Sequence, residues 1–179
     1  MNIYNRKKSK TIIKQIKEDI YLKKVFCYLK KANWSLCSAE SCTGGLFSAA
    51  ITSRSGASDL FKGGINAYSN DVKVSVLGID KKIVESFGAV SEKTVKEMAK
   101  KSVKLFNADV SVAITGIAGP SGGTEEKPVG TVWICINAGE KIEAFRFHFL
   151  GNRKRVRLYT VRMSIYLLSN FLKESLASS

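Results

Sequence analysis

Residues 34–52 read WSLCSAESCTGGLFSAAIT, an apolar stretch that turns polar and then glycine-rich before a run of small apolar residues. WSLCSA has the length and character of a short strand. GGLFSAAIT has those of a small-residue helix, with Ser41 and Thr43 placed to cap it. The stretch is therefore a strand-to-helix turn, with Glu40, Ser41, Cys42, Thr43, Gly44 and Gly45 at the turn itself. Such a turn is the repeating joint of an α/β sheet, and the flanking sequence continues the alternation.

Upstream, Ile12, Ile13, Ile16, Ile20, Val25, Phe26 and Leu29 recur at mostly helical spacing between Thr11 and Ala32, which predicts one amphipathic helix. Downstream, GGINAYS reads as a strand, and NDVKVSVLG as a short helix capped by Ser69 or Asn70 and stopped at Gly78. SEKTVKEMAKKSVKLFN is a helix with Ser91 as cap and Val95, Met98, Ala99, Val103 and Phe106 as its apolar face. DVSVAITGI is a continuous apolar run of strand length, hence a buried central strand. The loop AGPSGGTEEKP carries both prolines of the chain and is too long for a simple turn.

VGTVWICIN and KIEAFRFHFL then alternate around an Ala-Gly turn, which predicts an antiparallel hairpin. Its last strand puts Phe145, Phe147 and Phe149 on one face and Arg146 and a solvated His148 on the other. A final helix runs from Arg153 to Leu172, with Asn152 as cap. The expected fold is α/β: a three-layer α/β/α sandwich around a mixed, mostly parallel sheet with one antiparallel hairpin. The length of 179 residues fits one domain spanning residues 1–179, with residues 1–10 a flexible basic tail.

Composition narrows the function classes. The formal net charge is +14, from 29 Lys and Arg against 15 Asp and Glu, which admits a polyanionic partner. Most of the lysines, however, sit on the polar faces of predicted helices. The denser runs NRKKSK and NRKRVR do not interleave aromatic residues as nucleic-acid stacking platforms do, so nucleic acid ranks last among the partners. The four cysteines form no Cys-x-x-Cys pair and have a single His beside them, which argues for reduced thiols and against a zinc site. The N-terminal stretch TIIKQIKEDIYLKKVF is interrupted by charges every few residues, so neither a signal peptide nor a membrane span is expected, and the chain is placed in the cytoplasm.

Three polar, glycine-rich places are candidates for chemistry: AESCTGG, TGIAGPSGG and GNRKRVR. The hydroxyls and free amides of SCTGG at a helix start suit a phosphate or a developing oxyanion, and equally a plain helix cap. With the lone His148 set aside as a solvated residue of the hairpin's polar face, a Ser-His-Asp triad is effectively excluded, and a Ser41 nucleophile needs another base. Lys73 can serve if burial or a nearby cation keeps its amine neutral, since an ordinary lysine titrates at about 10.4. Tyr68, five residues earlier, can relay or orient the proton; alternatively it is a core-edge residue and Lys73 a solvated amine. Cys42 is a rival nucleophile or a small buried residue. Arg153 and Arg157 share a helix face in the first turns, where the helix dipole disfavours cations, so a bound phosphate or plain basic surface explains them.

The motifs AESCTGG, GASDLFKGGINAYSNDVK, LGI, GAVSEKTVKEMA, TGIAGPSGGTEEKPVGTVW and GNRKRVR follow one another in an order and spacing that resembles the CinA-like C-terminal domain. That family includes the bacterial nicotinamide-nucleotide amidohydrolases (NMN deamidases). The likeness runs from about Trp34 to the final helix, and 179 residues leave no room for the molybdopterin-binding-like domain of full-length CinA proteins, which implies the stand-alone form. It implies hydrolysis of the carboxamide of nicotinamide mononucleotide to nicotinate mononucleotide and ammonia, by a homo-oligomer with no cofactor and no metal. By motif, Ser41 is the nucleophile, Lys73 and Tyr68 activate it, Thr115 lies near the reacting group and Arg153 contacts the substrate. Further substrate contacts fall on Glu40, Thr43, Gly44, Gly45, Gly116, Gly119 and Arg157. The alternative is a catalytically weak module of the same family that retains pyridine nucleotide. Two positions depart from the usual pattern: GNR stands for Gly-Asp-Arg, and GPSGG for GPDGG.

Overall fold

The computed structural model of the protein describes residues 17–177. The basic run at residues 5–10 and the first turns of the helix read from Thr11 lie outside the described residues. Helix α1 spans Glu18–Ala32, burying Leu22, Val25, Phe26 and Leu29, and stops where Asn33 turns left-handed (φ 55°) and donates its amide to the last carbonyls. Strand β1, Leu36–Glu40, is buried along its whole length. Its entry is pinned by Asp109, which accepts from the amide and hydroxyl of Ser35, both at 2.7 Å.

Helix α2 (Leu46–Thr52), a short 3-10 turn (Ala57–Asp59) and strand β2 (Phe61–Asn66) follow. Helices α3 (Asn70–Ser75), α4 (Lys81–Phe87) and α5 (Glu92–Phe106) then lead to β3 (Val110–Gly116). The hairpin β4 (Thr131–Ala138) and β5 (Lys141–His148) precedes the 25-residue helix α6, Arg153–Ala177.

The five strands lie in the order β2-β1-β3-β4-β5. β1 pairs in parallel with β2 and β3, whereas β3–β4 and β4–β5 are antiparallel. The mixed sheet and the hairpin are as expected, although the pairings divide evenly and are not mostly parallel. On one face, α1, α2 and α6 pack Leu29, Phe47, Ile51, Val156 and Leu168 against Leu36, Val112 and Ile134. On the other, Leu77 just beyond α3, Val84 of α4 and Val95 and Met98 of α5 pack against Ala39, Ala113 and Cys135. Each layer buries an apolar stripe that water would otherwise contact, at about 25 cal/mol per Å².

The end signals hold for α3, where Ser69 accepts from the Val72 amide at 3.2 Å, and for α5, where Ser91 accepts from Thr94 at 3.2 Å. Asn152 Oδ1 likewise accepts from the Arg155 amide at 3.0 Å. The charges of α5 lie outward, with Glu92–Lys96 and Glu97–Lys100 pairs on its surface. Two readings are corrected, those of the α2 cap and of His148, and one helix, α4, is an element the sequence reading did not include. Neither Ser41 nor Thr43 caps α2. KKIVESF forms α4, a helix too short to show a periodic pattern, which Asp80 caps by accepting from Lys82 at 2.9 Å. His148 is not simply solvated, since its Nε2 lies 3.0 Å from the Val129 carbonyl oxygen.

Candidate active site

The loops leaving the carboxyl ends of β1 and β2 diverge, β1 passing to α2 on one face and β2 to α3 on the other. Adjacent strands whose connections part in this way open a crevice at their carboxyl ends. Ser41 stands at the end of β1, and Lys73 projects from α3, the helix after β2.

The turn between them is built around Glu40. This side chain has no solvent exposure, and its carboxylate accepts from the amides of Gly45 (3.0 Å), Phe47 (3.1 Å) and Ser48 (2.8 Å) and from the Ser48 hydroxyl (2.6 Å). A buried carboxylate is tolerated only when its lone pairs are filled, and the positive end of a helix fills them. Glu40 is thus the cap of α2. It reaches the helix because Gly44 (φ 56°) and Gly45 (φ 89°) take left-handed conformations that fold the chain back over it. Gly44 donates its amide to the Ser41 carbonyl and Leu46 to that of Thr43. The amides of Cys42 and Thr43 lie in the same turn, next to Ser41 in the chain.

Ser41 is 7% and Lys73 1% exposed. Lys73 Nζ lies 3.2 Å from Ser41 Oγ, 2.8 Å from the carbonyl oxygen of Ala67 and 3.4 Å from that of Tyr68. No carboxylate pairs with it among the described residues, and burial lowers its pKa, with the neighbouring Cys42 acting weakly in the other direction. All three partners are oxygens that can accept from Nζ; when the amine is neutral, its two N–H bonds can serve the two carbonyls and its lone pair can accept from the Ser41 hydroxyl. Cys42 is buried beside them, and burial pushes its thiol up to about 12, so it is held as an inert thiol.

Tyr68 directs its phenol to the rim of the crevice. The residue is 59% exposed, and its hydroxyl accepts from Arg153 Nη2 at 2.7 Å, whereas its backbone carbonyl reaches Lys73. Lys73 Nζ reaches Ser41 Oγ directly, while the phenol is turned to Arg153. Arg153 also donates from Nη1 to the Gly119 carbonyl at 2.9 Å, tying the start of α6 to both loops at the rim. The Asn152 departure leaves the cap of α6 intact, and Arg153 is oriented by Tyr68 and Gly119 without a neighbouring carboxylate.

Thr115 is buried with its hydroxyl committed to the Ala89 carbonyl at 2.8 Å. Gly116 admits the close approach of β4, since an added Cβ would stand 2.8 Å from the Thr131 carbonyl oxygen. Arg157 donates from Nη2 to the Thr43 carbonyl at 2.7 Å. Thr43 Oγ1 and Arg157 Nε are buried with no hydrogen-bond partner among the described residues. The carbonyls of Ala67 and Ala89 were invisible to sequence reasoning, because a backbone carbonyl has no residue signature, and Ser48 beneath Glu40 was missed because a serine inside a helix gives no sign of a partner outside it.

A separate cavity of about 470 Å³ lies at the opposite, amino-terminal ends of β1, β2 and β3, lined by Lys30, Trp34, Asp59, Lys62, Asn107 and Asp109, and includes none of these groups. Among the described residues no cluster of His, Cys, Asp and Glu can hold a metal ion, and no helix is long and apolar enough to cross a membrane.

The CinA C-terminal domain family model matches residues 19–172. The chain belongs to the CinA C-terminal domain family. It is 47% identical over 133 residues to a CinA-like protein of Fervidobacterium nodosum, covering 74% of this chain and 33% of that protein. It is 47% identical over 145 residues to a CinA-like protein of Thermotoga maritima, covering 81% and 35%. The chain thus spans about a third of the length of these curated relatives. Among solved structures, a CinA superfamily protein of Klebsiella pneumoniae superposes with a TM-score of 0.84 at 33% identity, covering 88% of this chain and 98% of that one. The competence/damage inducible protein CihA of Agrobacterium tumefaciens gives 0.83 at 34% identity, covering 87% and 95%.

Proposed function

We propose that this CinA-family domain is a serine amidohydrolase acting on a pyridine nucleotide, converting the carboxamide of nicotinamide mononucleotide into nicotinate mononucleotide and ammonia. The observation that carries this reading is the buried Ser41–Lys73 pair, with Nζ 3.2 Å from Oγ and the lysine held toward its neutral form by burial. A hydroxyl is a weak nucleophile until a positioned base takes its proton, and an amine of lowered pKa is such a base.

In the first half-reaction, Lys73 Nζ accepts the Ser41 proton as Oγ attacks the carboxamide carbon. The amides of Cys42 and Thr43 receive the oxyanion, each such donor being worth about 2.7–4 kcal/mol in a preorganised site. The protonated Lys73 then returns the proton to the departing nitrogen, which leaves as ammonia. In the second half, water attacks the acyl ester, Lys73 takes its proton, and collapse of the adduct restores the Ser41 hydroxyl and releases the carboxylate. The substrate's pyridinium makes its carboxamide carbon more electrophilic, and a neutral lysine does not repel that cation.

Glu40 contributes through the turn it caps, and Tyr68 through the rim. Arg153, which has no carboxylate partner among the described residues, supplies a guanidinium to the nucleotide phosphate together with the loop at Gly119. Thr43 Oγ1, buried and without a partner among the described residues, supports a polar substrate group reaching the floor of the crevice. Intact-mass spectrometry of protein quenched during turnover tests the route. An acyl adduct mapping to Ser41 is expected, whereas steady turnover with no adduct, and with Ser41→Ala still active, would sink the covalent mechanism.

A further inference from the structure

The two arginines at the start of α6 stand on one helix face, yet they do different things. Arg153 is exposed and spans the rim, whereas Arg157 lies over the nucleophile's turn, its Nη2 donating to the Thr43 carbonyl at 2.7 Å. A Cβ built on Gly44 would stand 3.4 Å from the same nitrogen, so the guanidinium rests directly on the turn. Its Nε is buried, and no carboxylate pairs with Arg157 among the described residues, in contrast to Arg54 with Asp19 and Arg162 with Glu18. Near the start of a helix, where the dipole disfavours a cation, the Thr43 carbonyl is the partner that retains this charge.

That carbonyl belongs to the segment carrying Ser41 and the amides of Cys42 and Thr43. Glu40 holds the far side of the same turn by its bonds to Gly45, Phe47 and Ser48. We propose that Arg157 is a positioning residue: it clamps the Thr43 carbonyl from above while Glu40 holds the turn from below, fixing Ser41 and its oxyanion donors before substrate arrives. The proposal rests on the serine-amidohydrolase reading, and it removes Arg157 from the substrate contacts suggested by its basic motif. Donors that are already aimed need no reorganisation during reaction, which is where such a clamp acts.

The test compares the full chain with Arg157→Met, Arg157→Lys and, as a control for loss of charge alone, Arg155→Met at an exposed position of the same helix. Steady-state deamidation of nicotinamide mononucleotide is measured against pH, together with the rate at which a fluorophosphonate labels Ser41, read by intact mass. Arg157→Met is expected to lose about 100-fold in kcat, as small misplacements of reacting groups do, with KM changed by no more than about two-fold. Labelling slows in parallel, the pH limb set by Lys73 stays in place, Arg157→Lys regains part of the rate by keeping a cationic donor, and Arg155→Met behaves as wild type. Circular dichroism establishes that each variant folds, and if Arg157→Met does not, Arg157→Lys carries the same comparison.

A rise in KM with kcat retained overturns the clamp and makes Arg157 a substrate ligand. An unchanged labelling rate, or equal losses in Arg155→Met, overturns it as well. Labelling needs no nucleotide, so a wild-type protein labelled at Ser41 but inert on nicotinamide mononucleotide refutes the substrate alone, and the dependence on Arg157 still decides the clamp. A wild-type protein inert in both assays overturns both.

Discussion

Replacing Glu40 with Gln tests whether this carboxylate is the cap of α2 or a counter-ion for a cationic substrate. In the native protein two oxygens accept four bonds, two at Oε2 from Gly45 and Phe47 and two at Oε1 from the amide and hydroxyl of Ser48. Glutamine keeps one oxygen. Its best orientation gives that oxygen to Gly45 and Phe47 and turns the NH₂ toward Ser48, whose hydroxyl can rotate to accept. The Ser48 amide is then an orphaned buried donor, at about 1–3 kcal/mol. Loss of the negative charge at the helix start adds about 0.3–1 kcal/mol, the remaining bonds weaken from charged to neutral, and relief of a buried charge offsets part of the total. The net expectation is a loss of about 2–4 kcal/mol, or about 4–16 °C in Tm for a domain of this size. Calorimetry and urea unfolding measure it. A Glu40→Gln protein within about 0.5 kcal/mol of wild type, with KM raised instead, would refute the capping argument, since ordinary surface changes fall in that range.

Lys73 must be neutral to act as base, so kcat/KM rises with pH through its lowered pKa, and the limb lies below the ordinary 10.5. An activity limb at or above that value would contradict the burial argument. The same shift has a stability consequence: the unfolded chain binds this proton more tightly than the folded one, so the stability difference between wild type and Lys73→Met moves in favour of wild type as pH rises toward about 10.4. Urea titrations at several pH values read that slope, and a flat difference would count against it. Cys42→Ala retains activity, because a thiol at about 12 is ionised in only about one molecule in 10⁵ at pH 7, and loss of turnover in that variant alone would make Cys42 the nucleophile. Tyr68→Phe removes one bond to Arg153 at the rim and costs no more than about ten-fold in kcat/KM, equivalent to roughly 1.4 kcal/mol, whereas a loss of about 10³-fold or more in kcat would restore the phenol as a proton relay.

The β1–turn–α2 unit was legible because its apolar run, paired glycines and small-residue helix each carry a local signal. Its cap was not. A capping side chain is sought at the helix boundary, whereas Glu40 precedes Gly45 by five residues and reaches the helix only because two left-handed glycines reverse the chain. The hairpin was visible in the alternation of Phe145, Phe147 and Phe149. That its first strand pairs antiparallel with β3, dividing the sheet evenly, is a long-range choice with no local signature. Ser41 and Lys73 were reachable by eliminating a histidine base and by the family resemblance, but their contact depends on two loops parting at the ends of β1 and β2. Tyr68 shows the opposite limit, since nearness to Lys73 in sequence said nothing about its phenol turning outward to Arg153.

The central claim is that Ser41, with Lys73 as its base, hydrolyses the carboxamide of a pyridine nucleotide. The most direct measurement is the release of ammonia and nicotinate mononucleotide from nicotinamide mononucleotide by the purified chain and by Ser41→Ala, with a chelator present in both. Equimolar release by the wild type that vanishes in Ser41→Ala is the predicted result. Equal release by the two proteins, or none by the wild type, contradicts it.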